Sequence, residues 1–168
     1  MQPRKSILFF FLALFLSQGY SQKLETPRTT SELPQVFMIG EYESLYENLY
    51  DNYPGLLISE SENDMEAAFN KWLNLIYSME DKSRKNGPDL KGLKIWIHVF
   101  FNKSGKIDHI MFHKKPHSKN IQNEELRAFL QDFIKDYTLS VDAVENFMHS
   151  GSASFPTYGY SPLEANSH

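Results

Sequence analysis

The sequence predicts an α+β domain of two layers, in which helices pack on a small antiparallel sheet. Three observations predict this fold: helix patterns at 61–88 and 120–137, and a strand–turn–strand pattern between them at 94–113. Apolar residues recur at steps of three and four in the helix patterns, whereas they alternate in the hairpin. Segregated helices and strands of this kind are typical of two-layer α+β domains.

Three helices are expected in chain order. The first ends at Pro54, because the residue before a proline disfavours the helical conformation. The second ends at Gly87 and Pro88, which are typical of a helix C-terminus. Their apolar stripes are Tyr42, Leu45, Tyr46, Leu49 and Tyr53 in the first, Met65, Phe69, Trp72, Ile76 and Met79 in the second, and Leu126, Phe129, Leu130, Phe133, Ile134 and Tyr137 in the third.

The hairpin is expected to turn at Asn102–Gly105, where glycine suits a positive φ angle. If Phe101 pairs with Lys106, then His98 faces His109, whereas a bulge at the turn shifts this register. One face of the hairpin carries an apolar stripe that is either covered by the first helix or exposed as a partner surface. This stripe consists of Trp96, Phe100, Ile107 and Met111.

A last, weaker strand is expected at about Phe147–Phe155, with Pro156 beyond it. Its serines, together with Gly151 and Ala153, make it a poor central strand, so we expect it at the edge of the sheet.

The N-terminus has the layout of a secretory signal peptide over residues 1–21. Arg4 and Lys5 precede the apolar run Ser6–Ser17, and small residues follow it. That run is about half as long as the ~20 residues that a membrane-spanning helix needs. We therefore expect cleavage before Gln22, a periplasmic or secreted protein, and no stable membrane anchor after cleavage.

The mature chain is expected to form one domain. A polar stretch with two prolines, 22–35, predicts a flexible leader. The domain itself is expected at 36–158, followed by a disordered tail at 159–168.

Composition and motifs exclude several classes of function. The chain contains no cysteine, which excludes disulfides, thiol nucleophiles and thiolate metal sites. Its formal charge is −4, and cleavage of the signal peptide removes two basic residues and no acid, so we do not expect it to bind nucleic acid. No nucleophile elbow, phosphate-binding loop, dinucleotide-binding glycine motif or zinc-binding helix motif occurs. We therefore predict neither an enzyme nor a cofactor.

The stretch from 86 to 158 resembles the TonB C-terminal domain. It has a glycine before an alternating strand, a Ser-Gly turn, a second alternating strand, the helix "EELRAFL" and a last strand that ends near a proline. The tyrosine-rich stretch "GEYESLYENLYDNYP" resembles the helix that precedes the domain in many of these proteins. The resemblance covers roughly residues 35–158 and rests mainly on structural motifs.

The resemblance implies an envelope domain that binds peptide segments of outer-membrane receptors by adding a strand to a sheet edge. The family's Trp/Phe-x-Pro-Ala stretch after the last helix is replaced here by "SVDAVENF". The polar leader at 22–35 is 14 residues long and spans at most ~50 Å. That distance is too short for a transducer's spacer, so we expect a free-standing binding domain without energy transduction of its own.

We expect the partner, such as a segment of an outer-membrane receptor, to bind at Ser152, Ala153, Ser154 and Phe155 of the last strand. Pairing of two copies through the same edge is a second expected mode.

Two alternatives stay open from the sequence. The first is a histidine-dependent metal-binding periplasmic protein, with His98, His109 and His113 as candidate ligands. A strand separates His109 from His113 by about 13 Å, so these residues do not predict a metal site without bending. The second is a structural protein of the envelope.

Overall fold

A computed structural model of the chain describes residues 32–158. Within that range, three helices pack on one five-stranded sheet, which confirms the α+β class. The signal peptide and the tail predicted from the sequence lie outside the described residues, as does most of the predicted leader.

The sheet is mixed, whereas the sequence predicted a purely antiparallel one. Its strands are β1 (Val36–Met38), β2 (Gly55–Leu56), β3 (Lys94–Phe101), β4 (Ile107–Lys114) and β5 (Phe147–Ser154), in the spatial order β1-β4-β3-β5-β2. The central strand β3 pairs antiparallel with β4 and β5. The short outer strands β1 and β2 pair parallel with β4 and β5, respectively. Strands of two and three residues are too short to show an alternating pattern, which is why the prediction omitted both.

The helices are α1 (Glu43–Tyr46), α2 (Met65–Asn86) and α3 (Asn123–Asp136). The helix predicted to run up to Pro54 is thus a single α-turn, followed by a 3₁₀ turn at Tyr50–Asn52. In contrast, α2 has an N-cap residue, Asp64. Its Oδ1 accepts hydrogen bonds from two backbone N–H groups of the first turn.

The main core lies between α2, α3 and one face of the sheet. The helices contribute Trp72, Leu75, Ile76 and Met79 from α2, and Leu126, Phe129, Leu130 and Phe133 from α3. The strands contribute the alternate residues Ile95, Ile97, Val99 and Phe101 of β3 together with facing residues of the other strands. Each side chain of this size stabilises the fold by about 1.5–3 kcal/mol when fully buried.

The opposite face of the sheet is only half covered. Residues 39–53 fold over Phe37, Phe100 and Met111 and bury them together with Leu49 and Tyr53. The sequence left open whether the first helical segment covers this face or leaves it exposed. The segment covers Phe100 and Met111 of the predicted stripe but leaves Trp96 49% exposed.

A bulge in β4 sets the register of the hairpin. Phe100 pairs with His109, but the next residue, Phe101, pairs with Ile107, so Asp108 is the extra residue. Asp108 accepts hydrogen bonds from the Tyr53 hydroxyl at 2.9 Å and from an Asn102 side-chain N–H at 3.0 Å. Burial, followed by the bond to Asp108, raises the pKa of Tyr53 well above its ordinary value.

This bulge decides one register that the sequence left open and corrects one prediction about the hairpin. His98 lies opposite Met111, not His109. Ile107 turns onto the helix-covered face and is buried there, so it is not part of the stripe that contains Trp96. The turn itself matches the prediction, because Gly105 has a φ of 78°.

Candidate peptide-binding edge

One side of β5 has a neighbouring strand along only a short part of its length. On that side β2 pairs only with its first two residues, Phe147 and Met148. The chain then leaves the sheet through the helical turn Ser59–Ser61 and enters α2. The sequence predicted β5 as an edge strand, and the structure makes it second from the edge, with its last six residues uncovered by any strand within residues 32–158.

Backbone direction alternates along β5 and identifies which residues face outward. The Met148 carbonyl accepts a hydrogen bond from the Leu57 N–H at 3.0 Å, so Met148 faces β2. The Phe155 N–H donates to the Leu93 carbonyl at 2.9 Å, on the opposite side. By the two-residue period, Ser150, Ser152 and Ser154 direct their N–H and C=O groups away from β3. We call these outward groups the open edge, since no backbone or side-chain group of the described chain pairs with them.

The four residues predicted to bind a partner divide into two kinds. Ser152 and Ser154 are exposed and belong to the open edge. Ala153 and Phe155 face β3 and the core, where both are buried. Ser150 was missed by the prediction, although the same period of two that selects Ser152 and Ser154 extends back to it.

An apolar groove runs beside the open edge, next to α2. It has a volume of about 360 Å³ and is lined by Met65, Phe69 and Trp72 of α2 and, at the edge of the sheet, by Leu56 and Met148, which share the face away from the helices. Met65 is 70% exposed and Phe69 55% exposed, although both are large apolar residues on α2. We call this feature the helix-side groove.

Gly151 allows α2 to lie this close to β5. A Cβ atom at this position would lie 2.8 Å from the Trp72 indole ring, closer than a side chain tolerates. Trp72 also packs on His149, with ring centroids 4.6 Å apart. The position of Trp72 at the end of the groove therefore depends on a residue without a side chain in the strand below it.

A polar and aromatic patch lies on the other face of the sheet, one strand away from the open edge. Trp96 is 49% exposed, and the Lys115 ammonium lies 3.9 Å from the centroid of its ring. In β3, Trp96 lies opposite Ser152, and Lys94 lies opposite Ser154. We call Lys94, Trp96 and Lys115 the lysine–tryptophan patch.

His98 belongs to the same face and is hydrogen-bonded to the Ser150 side chain. Its Nδ1 lies 2.8 Å from the Ser150 hydroxyl oxygen and 3.5 Å from that of Tyr50. Burial lowers the pKa of His98, so its ring is neutral at neutral pH. No carboxylate of the described residues contacts this imidazole, so the pair lacks the third member that orients a catalytic histidine.

The three candidate metal ligands lie on one face of the hairpin but do not converge. His109 donates from Nδ1 to the Pro34 carbonyl at 3.0 Å and packs against Phe37, while His113 is exposed beside Trp96. Among residues 32–158, no group of three or more histidine or acidic residues is placed to hold a metal ion.

Comparison of the chain with protein-family models, with curated proteins and with solved structures finds no match. In the part of the chain that the structure describes, none of the helices has both the length and the apolar character needed to cross a bilayer. The resemblance to the TonB C-terminal domain therefore stays a prediction from the sequence.

Proposed function

We propose that this protein is an exported binding domain that captures an extended segment of an envelope protein by strand addition. The segment, such as one from an outer-membrane receptor, pairs with the open edge of β5. The domain acts in the manner of the TonB C-terminal domain that it resembles, without energy transduction of its own. The observation that carries the proposal is the outward row of N–H and C=O groups at Ser150, Ser152 and Ser154.

An uncovered strand side is a site for pairing with another chain, because its backbone groups are already aligned to bond a second strand. The three serines are small and exposed, so no bulky side chain blocks the approach of a peptide backbone. Each backbone hydrogen bond contributes about 0.5–1.5 kcal/mol net.

Backbone pairing alone does not hold a short peptide, since association costs about 4–15 kcal/mol in lost freedom. The remaining affinity has to come from side chains. The helix-side groove supplies apolar surface for this, at about 25 cal/mol for each Å² that the peptide buries.

The metal-binding alternative has less support. Of its three candidate ligands, His109 is engaged with Pro34, and His98 is bonded to Ser150. Within residues 32–158, the three histidines do not form a group that is placed to hold a metal ion.

The test is a capture experiment with a matched pair of variants. The exported chain is immobilised, exposed to its own envelope fraction, and the retained proteins are identified by mass spectrometry. Ser152→Pro removes one outward N–H at the centre of the open edge, whereas Ser152→Ala keeps it. We expect a specific partner that is retained by Ser152→Ala and lost by Ser152→Pro.

We expect both variants to remain folded, because the Ser152 N–H takes no part in the pairing with β3. Circular dichroism and thermal melting check this. Equal retention of the same partner by both variants would show that the open edge is not the binding site. A concentration-dependent dimer that Ser152→Pro abolishes, with no captured partner, would instead assign the edge to self-pairing.

A further inference from the structure

We infer that the strand recognised at the open edge has two chemically different faces: apolar side chains toward α2 and a carboxylate toward the lysine–tryptophan patch. This inference rests on the proposed function and specifies the partner that the edge selects.

The first step is geometric. A strand added to β5 lies about 4.7–4.9 Å from it and continues its pleat. Its side chains therefore alternate between the helix-covered side and the opposite side of the sheet. From Ser150 to Ser154 the open edge spans about 13 Å at ~3.3 Å per residue, which accommodates a segment of about five residues.

The second step concerns the side toward the helices. Side chains of the added strand that point there enter the helix-side groove beside Phe69 and Trp72 of α2. This groove adjoins the Ser150 end of the edge, because its lining includes Ser150 and because Trp72 packs on Gly151. An apolar residue at that end removes exposed surface of Phe69 from water, whereas a polar residue loses its own hydration there.

The third step concerns the opposite side. The serine side chains of β5 are short. No bulky side chain of β5 therefore lies between Trp96 and Lys94 of β3 and a strand added at the open edge. The Lys115 ammonium is already held over Trp96, at the Ser152 end of this row. A residue of the added strand beside Ser152 or Ser154 lies two strand spacings, about 9.5 Å, from the backbone of Trp96 and Lys94, a distance that a glutamate and a lysine side chain span together.

The fourth step is the charge balance at this point. The chain as a whole carries a formal charge of −4, but β5 contains no acid. Within the described residues, six other cationic side chains, those of Lys82, Arg84, Lys85, Lys119, Arg127 and Lys135, form ion pairs with carboxylates. Lys94 and Lys115 are in none of these pairs, and neither are five other lysines of the described chain, but these two are the ones in the lysine–tryptophan patch. A glutamate or aspartate of the partner gains a favourable interaction with their charge.

The two requirements fall at different ends of the edge. Apolar contacts are concentrated near Ser150, and cationic contacts near Ser154. The recognised segment therefore carries its apolar residue and its acid on opposite faces and displaced along the strand, in a pattern that a uniformly apolar or uniformly acidic segment does not satisfy.

The test uses synthetic eight-residue peptides and isothermal titration calorimetry with the full exported chain. The first peptide alternates valine with glutamate at the patch-facing positions, and the second has lysine in place of each glutamate. A third keeps the glutamates and replaces each valine with serine. Each sequence is also made in reversed order, because the edge accepts either strand direction.

We expect the valine–glutamate peptide to bind at least ~10-fold more tightly than the valine–lysine peptide, a difference of about 1.4 kcal/mol. The double variant Lys94→Glu/Lys115→Glu should reverse this preference. The serine–glutamate peptide should lose at least ~10-fold, because it cannot fill the helix-side groove. Lys103→Glu, which makes the same kind of charge change at the distant hairpin turn, should leave the preference intact.

The possible negative results distinguish an error in the two-faced partner from an error in strand addition itself. Equal binding of the glutamate and lysine peptides, with both lost in Ser152→Pro, would overturn the two-faced partner and leave strand addition standing. The two-faced partner would also be overturned if no peptide bound while the captured envelope protein still depended on Ser152. If peptides bind with the expected preference but Ser152→Pro binds them equally well, the patch recognises charge without strand addition, and both proposals fail.

Discussion

The two sides of the sheet end in different ways. At the β1 side, Val36 and Met38 face outward, because their neighbours Gln35 and Ile39 bond to β4. The Val36 carbonyl accepts a hydrogen bond from Arg127 at 3.3 Å, and the Met38 N–H donates to Glu41 at 2.9 Å. We call this side the closed edge, in contrast to the open edge of β5, whose outward groups have no partner within residues 32–158.

The comparison shows that this fold covers the outward backbone groups of one outer strand side and leaves those of the other uncovered. The closed edge is covered by an ion pair between Glu41 and Arg127, 3.0 Å apart, in which each residue also bonds a backbone group of β1. Charged side chains of this kind protect an edge from pairing with other chains. The open edge carries serines instead, which neither cover the backbone nor repel an incoming strand.

Two opposing effects set the pKa of Glu41 at the closed edge. Burial alone would raise the pKa of Glu41, but the hydrogen bonds from Arg127 and the Met38 N–H together outweigh it, so the pKa is lowered. The carboxylate is therefore stabilised in the charged form that the closed edge needs.

The largest expected effect is on amide exchange at the two edges. We expect the N–H groups of Ser152 and Ser154 to exchange at least ~100-fold faster than that of Ala153, because only the last bonds to β3. The Met38 N–H should be slower than those of the serines, since Glu41 holds it. Hydrogen exchange followed residue by residue by NMR measures this, and slow exchange at both serines would contradict an open edge.

The second prediction removes the close approach of α2 at the open edge. Gly151→Val places a side chain against Trp72 and should lower the free energy of unfolding by about 1–3 kcal/mol through overpacking. Urea unfolding measures the loss. The matched control is Ser152→Val, which adds the same side chain one residue away on the exposed face and should change stability by less than about 0.5 kcal/mol.

The third prediction opens the closed edge. Arg127→Ala leaves Glu41 without its cation and Val36 without its donor, so we expect the free energy of unfolding to fall by about 1–3 kcal/mol. Lys135→Ala, in the same helix, removes an exposed ion pair and should cost less than about 0.5 kcal/mol. If the two variants unfold at the same urea concentration, the closed edge makes no measurable contribution.

The smallest expected effect is on the acid stability of the closed edge. Because the folded state lowers the pKa of Glu41, its contribution is complete above the unfolded value of about 4.3 and is lost as the pH falls through the lowered folded value. Glu41→Gln should therefore be less stable than the wild type at pH 7. The gap should narrow below about pH 4. Thermal melts of both proteins across this pH range measure the gap, and a constant difference would argue against the ion pair.

Long periodic segments were predictable from the sequence for a physical reason. A helix such as α2, with Trp72, Ile76 and Met79 on one stripe, carries its burial pattern over several turns. The hairpin β3–β4 and the strand β5 likewise show their faces through local alternation. These elements were expected close to their observed positions, because the pattern that predicts them is also the one that the core buries.

Short and non-local features were not predictable in this way. The bulge at Asp108 depends on the Tyr53 hydroxyl and Asn102, and only the folded chain brings Tyr53 to it. Its consequence is a register in which His98 faces Met111, and this separates the candidate metal ligands. The pairing of Arg127 with Glu41 links residues 86 positions apart and has no local signal.

The sequence by itself determined that β5 would be a strand rich in small residues, and that Ser152 and Ser154 would share a side, because side-chain alternation is a local property of extended backbone. Only the tertiary structure decided that this side is an open edge. That outcome depends on β2 ending at Leu56 and on α2 crossing above Gly151, which brings Phe69 beside the strand. Both are contacts between segments distant in sequence, whose placement depends on how the whole core packs rather than on any one segment.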